Sequence, residues 1–123
     1  MTTKNKGTIR TFTTGANRDT SKGKLDYEGF LSPTVLKRYA EYMDKNTHLS
    51  NGDIRTSDNW QKGIPFDVYM KSMFRHFMEV WSLHRRHMME PFMPEDGNNR
   101  NEALCALMFN VMGYLHEFLK ETE

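Results

Sequence analysis

Cations and aromatic residues are interleaved in two polar stretches of this 123-residue chain, a combination suited to recognising a flat, phosphorylated ligand. Arg18, Lys22 and Lys24 lie beside Tyr27 and Phe30 in the first stretch. Asn59, Trp60 and Lys62 end the second and lead into a segment bearing Tyr69, Arg75 and His76, with Arg86 beyond. A guanidinium is a planar fork of donors that matches phosphate oxygens, and an exposed ring stacks on the face of any base. Arg18, Lys24, Lys62, Arg75 and Arg86 are therefore the candidate phosphate holders, and Tyr27, Trp60 and Tyr69 the candidate stacking rings. Asn59, His76 and Asn110 are candidates for hydrogen bonds to base or ribose. Ile64-Pro65, at the start of a helix, leaves backbone N–H groups pointing outward, which favours an anion. Each residue also suits a structural role: Trp60 and Tyr27 as core anchors, Arg75 as a surface charge. Asn110 stands within the apolar run Phe109-Asn110-Val111, where a buried amide needs partners, so it either locks helix packing or binds a ligand.

Bond-making chemistry has only partial matches. Glu41 and Asp44 are three residues apart, the spacing that puts two carboxylates on one helix face for Mg²⁺, but the later helices supply no second pair. His84 and His87 share the same spacing without an accompanying carboxylate. No GxSxG elbow, P-loop or GxGxxG is present, and the single cysteine, Cys105, lies in an apolar run as a buried thiol would. The residues point to binding without a catalytic set, with no cofactor and no resident metal.

These groups must be held by helices. Ser32-Pro33 gives an N-cap serine followed by proline at the first helical position, and Val35, Leu36, Tyr39, Tyr42 and Met43 recur at helical spacing, predicting a helix from Pro33 to Lys45. A second runs from Pro65 to about Met89, on a stripe of Phe66, Met70, Met73, Phe77 and Trp81. Pro91 and Pro94 end it. Asn99 then caps a last helix from Arg100 to about Lys120, with Leu104, Met108, Val111, Leu115 and Phe118 on one side and Ala103, Ala106, Phe109, Gly113 and Tyr114 on the other. A helix apolar on nearly all sides must be packed between neighbours, within a subunit or across an assembly. Residues 11–30 read as an ordered loop, residues 1–10 as a flexible basic arm, and no β-alternation competes with the helices. The fold class is all-α: a small domain of three or more helices over residues 11–123 with a long ordered N-terminal loop segment.

Only 37% of residues are apolar and 27% are charged, and the mean hydropathy is -0.76, a thin core that a dimer or tetramer would supplement. No apolar run is long enough for a membrane span, and the N-terminus lacks the apolar segment of a secretory signal, so a cytoplasmic protein is expected. A net charge of +1 gives no case for a long nucleic acid, though the first 25 residues hold an excess of cations.

The loop Thr14-Gly15-Ala16-Asn17-Arg18-Asp19 with Gly23-Lys24 and Asp26-Tyr27, then Leu31-Ser32-Pro33, Asn59-Trp60-Gln61-Lys62-Gly63-Ile64-Pro65, Arg75-His76 and Phe109-Asn110, together resemble a family of short phage proteins labelled dATP/dGTP diphosphohydrolase, N-terminal. That resemblance implies an infected bacterial cytoplasm as the setting and nucleotides as ligands. If hydrolysis is implied too, Glu41, Asp44, Glu95, Asp96 and Glu102 would hold Mg²⁺ for release of pyrophosphate. The family's segment before the last helix is acidic and contains histidine; here it reads Pro94-Glu95-Asp96-Gly97-Asn98-Asn99-Arg100-Asn101-Glu102, without one. This departure favours binding over hydrolysis. More distantly, a small helical phage protein of this kind is similar to viral sponge proteins that sequester cyclic dinucleotides such as 3′,3′-cGAMP and so evade host CBASS immunity. The expected function is such sequestration without cleavage, by a homo-oligomer.

Overall fold

The computed structural model describes the backbone of residues 9–89 and 94–122, and the side chains of all of these except 88, 89 and 94–96. The chain divides into two compact units, the first ending at Ser32 and the second beginning at Pro33. Helix dominates, with a small two-stranded sheet.

The mostly helical architecture is compatible with the all-α expectation, and the small sheet lies in the stretch read as arm and loop. Strand β1 (Ile9–Thr11) pairs antiparallel with β2 (Asn17–Asp19), in the register Ile9 with Asp19, Arg10 with Arg18 and Thr11 with Asn17. The turn closes through Phe12 N to Ala16 O at 2.8 Å and Gly15 N to Phe12 O at 2.9 Å. Gly15 has φ +89°, and a side chain there would meet no neighbour, so conformation rather than space calls for glycine. Arg10 stands opposite Arg18, and this like-charge pairing is relieved by Arg10 itself. Its Nε donates to Asp19 O at 3.1 Å, and its guanidinium lies 5.6 Å from the Phe12 ring centroid. Helix α1 (Tyr27–Phe30) follows, capped by Asp26, whose carboxylate accepts from Gly29 N at 2.9 Å. No described residue of this unit is buried.

The second unit carries α2 (Pro33–Lys45), a short 3-10 helix (Asn59–Lys62), α3 (Phe66–Met89) and α4 (Pro94–Thr122). Helix α2 has the bounds its capping signal and period predict. Helix α4 starts six residues earlier than expected: proline's fixed φ suits the first helical position, and Pro94 begins the helix in place of Asn99. The main packing is α3 along α4, with α2 against α4. Tyr69 and Leu83 of α3 and Ala103, Cys105, Ala106 and Asn110 of α4 are buried. Small residues at 103, 106 and 113 let α3 approach closely, and the Tyr69 ring sits against the backbone of Gly113. At the other end of the pair, Arg100 Nη2 donates to Leu83 O at 3.1 Å. Glu102 joins α4 to α2 by ion pairs with Arg38, at 3.5 Å, and with Lys45.

Among the described residues, one side of α4 is left half-exposed. Leu104, Met108, Val111, Met112, Leu115, Phe118 and Leu119 are each 38–52% exposed. Among the described residues, no helix is long and apolar enough to cross a membrane.

Candidate functional site

The long polar stretch between α2 and α3 is an ordered connection. Asn46 Nδ2 donates to Tyr42 O and Thr47 Oγ1 to Asp44 O, holding the end of α2. Asn51-Gly52 then reverses the chain: Asn51 Oδ1 accepts from Asp53 N at 2.9 Å, Gly52 adopts φ +91°, and Leu49 N donates to Asp53 O. His48 and Ile54 form a single antiparallel bridge, and Arg55 N donates to Thr47 O at 2.9 Å. Arg55 is thereby brought back beside the end of α2, and Thr56 O accepts from Asn59 N to begin the 3-10 helix.

Together α2, this connection, α3 and α4 line an open cavity of about 650 Å³. Helix α2 contributes Tyr39 and Tyr42, the 3-10 helix Asn59 and Trp60, α3 Tyr69 and His76, and α4 Phe109 and Asn110. Trp60 meets Phe109 and His116 edge-on, with centroids at 6.3 and 4.8 Å, and Tyr69 meets Phe109 at 5.9 Å. These contacts fix the rings that form the wall. The volume falls within the range of about 300–1,000 Å³ usual for pockets that take small organic ligands.

Polar groups are set into this aromatic lining, some without partners among the described residues. The hydroxyls of Tyr39 and Tyr69 are buried and make no hydrogen bond among the described residues. His76 Nδ1 lies 3.2 Å from Glu79 Oε1 but lacks the alignment of a hydrogen bond. Asn110, 5% exposed, donates Nδ2 to Ala106 O at 2.8 Å, which fixes the amide and leaves Oδ1 as the acceptor for another group. Leaving a buried polar group unpaired costs about 1–3 kcal/mol; the Tyr39 and Tyr69 hydroxyls and His76 Nδ1 are covered, whereas Asn110 Oδ1 is not among the covered, unpartnered atoms.

Burial pushes the Tyr39 phenol up to about 12, with smaller contributions from Tyr42, Cys105 and Tyr69. Burial also raises Tyr42, followed by Cys105 and Glu79, and raises Tyr69, followed by Glu117. All three phenols therefore keep their protons at neutral pH and can donate. A phenol raised on folding holds its proton where the unfolded chain has lost it, so its contribution to stability is level up to pH 10 and falls as the pH rises from 10 towards 12. Tyr39→Phe should flatten that fall in urea-midpoint measurements across this window. Parallel declines in the two proteins would show that Tyr39 is not responsible.

Of the residues singled out by type and spacing, Asn59, Trp60, Tyr69, His76 and Asn110 come together at the cavity. Lys62 and Arg75 are exposed and outside the lining. Arg86 lines a separate depression of about 440 Å³ that also contains Glu79 and Glu102. Arg18, Lys24 and Tyr27 belong to the N-terminal unit, where all three are exposed. The lining also contains residues that sequence reasoning missed. Tyr39 and Tyr42 read as part of a core stripe, and Arg55 stands in a polar stretch without periodicity. The signal for Arg55 is the Asn51-Gly52 turn just before it, which folds the chain back onto the end of α2.

The described carboxylates do not assemble a site for Mg²⁺. Glu102 is held by Arg38 and Lys45, Glu41 is outside the cavity lining, and Asp44 lines the cavity without either. The side chains of Glu95 and Asp96 lie outside the described residues. Among the described residues, no three of His, Cys, Asp and Glu converge as metal ligands, His84 and His87 included. No family model matches the chain, and no curated protein or solved structure matches it.

Proposed function

We propose that this chain is a nucleotide-binding protein that captures its ligand without cleaving it, the ligand being a cyclic purine dinucleotide immune signal such as 3′,3′-cGAMP in a phage-infected bacterial cytoplasm. The observation that carries this reading is the cavity of the helical unit, with its rings for stacking and its fixed amide and phenol groups for the edge of a base. Base stacking on aromatic side chains contributes about 1–3 kcal/mol per base. Capture lowers the free signal by mass action, and nanomolar affinity corresponds to about -12 kcal/mol.

The test is chemical. The protein is incubated with dATP, dGTP and 3′,3′-cGAMP in Mg²⁺, products are separated by chromatography, and bound ligand is recovered by heat denaturation. Intact cyclic dinucleotide released only on denaturation is the expected result. Turnover of dGTP or dATP to monophosphate and pyrophosphate would replace capture with the diphosphohydrolase alternative.

The proposed working form is a homo-oligomer, a dimer or tetramer built on the exposed face of α4. An interface of standard size buries about 1,600 Å² in total, and seven half-exposed large side chains on each copy are a substantial part of that. Leu115→Glu, in the middle of the face, should shift sedimentation to the monomer while leaving the helical circular dichroism unchanged. An unchanged sedimentation coefficient would show that assembly, if any, uses another surface.

A further inference from the structure

The cavity's lining is rich in rings and amides and poor in charge. Among the described residues it carries one permanent cation, Arg55, and one carboxylate, Asp44. The other cations of this region are committed or placed elsewhere: Arg38 and Lys45 pair with Glu102, and Lys62 and Arg75 do not line the cavity. The Arg55 side chain makes no hydrogen bond or ion pair among the described residues, while its backbone is held by Arg55 N to Thr47 O at 2.9 Å. Its backbone is therefore held beside the end of α2 while its guanidinium is exposed and available, which suits a bidentate contact with one phosphate.

Resting on the nucleotide-binding reading, we infer that each cavity takes one nucleoside with a single phosphate group, and that Arg55 is the phosphate-anchoring residue. The base and sugar lie among Trp60, Phe109 and Asn110, and the phosphate meets Arg55 at the side of the cavity formed by the connection. A polyphosphate chain would find no second permanent cation in this lining to match its further charges. The ligand unit is thus monophosphate-like, whether a free nucleoside monophosphate or one half of a dinucleotide. Recognition divides into a neutral part, carried by stacking and amides, and a single charge-assisted contact.

Titration calorimetry of the intact protein in EDTA with adenosine, AMP and ATP, and with the corresponding guanosine series, separates these parts. The monophosphate should bind at least about tenfold tighter than the nucleoside, with the triphosphate within about threefold of the monophosphate. Arg55→Ala should abolish the monophosphate's advantage and leave nucleoside affinity unchanged, and Arg55→Lys should restore part of it. A triphosphate that binds more than about tenfold tighter than the monophosphate would overturn the inference, because further cations would have to be engaged. An Arg55→Ala variant that weakens nucleoside and monophosphate equally would also overturn it. Binding of nucleosides with a phosphate preference indifferent to Arg55 removes this assignment alone, whereas failure of every nucleoside and nucleotide to bind removes the nucleotide reading with it.

Discussion

Gly113→Ala should lower the stability of the helical unit by about 1–3 kcal/mol, and the same substitution should raise it when Tyr69 is already alanine. A Cβ at Gly113 would fall on the ring of Tyr69, meeting ring carbons and coming within 2.6 Å of the hydroxyl oxygen. Tyr69 is 1% exposed and packed against α4, so its ring could give way only towards the adjoining cavity, at the expense of its contact with Phe109. In an isolated helix the change would be favourable, since glycine in a helix interior costs about 1 kcal/mol relative to alanine. Position 113 has given up that helix propensity to seat a ring. With Tyr69→Ala in place the conflict is gone and propensity alone remains, so the sign reverses. Urea denaturation of the wild type, both single variants and the double variant measures the coupling directly. Additive effects would mean that the ring does not depend on that glycine.

Trp60→Ala should weaken nucleotide capture by about tenfold to a hundredfold, the equivalent of about 1–3 kcal/mol of stacking. The indole forms a wall of the cavity and is held edge-on by Phe109 and His116, so its face is positioned before a ligand arrives. Truncation removes both the stacking surface and a packing element. Trp60→Phe distinguishes them: a smaller ring retains stacking, so affinity should stay within about threefold of wild type even where the melting temperature falls. Affinity unchanged by Trp60→Ala would remove the indole from the binding surface and count against the assignment of this cavity.

The helices were legible because their signals are local. Ser32-Pro33 and the spacing of Tyr39, Tyr42 and Met43 are enough to define α2. The start of α4 was misread because Gly97-Asn98-Asn99 has the composition of a turn, whereas a proline at the first position and the packing of the helix beyond it carry the helix through. The hairpin gave no signal, since three-residue strands with no buried side show no alternation and depend on turn geometry around Gly15.

Site residues divided along the same line. Asn110 was conspicuous as an amide among apolar residues, and Trp60 as a large ring in a polar stretch. Charge and neighbouring aromatic residues single out the phosphate candidates in the sequence, but which cation reaches a cavity is decided by tertiary placement. Arg38 and Lys45 share one carboxylate more than fifty residues away, and Arg55 gains its place from a turn.

The exposed residues of α4 also constrain the shape of whatever covers them. Leu104, Met108, Val111, Leu115 and Phe118 are spaced by alternating steps of four and three, a repeat of 3.5 rather than 3.6 residues. Such a stripe drifts slowly around a straight helix, by about 20° per heptad, and a straight partner would lose contact with it. A second helix follows it only by crossing at about 20° and winding left-handed, with side chains inserted as knobs into holes. The face is therefore matched to a helix of similar repeat, and a flat sheet or an extended peptide would leave part of it in water.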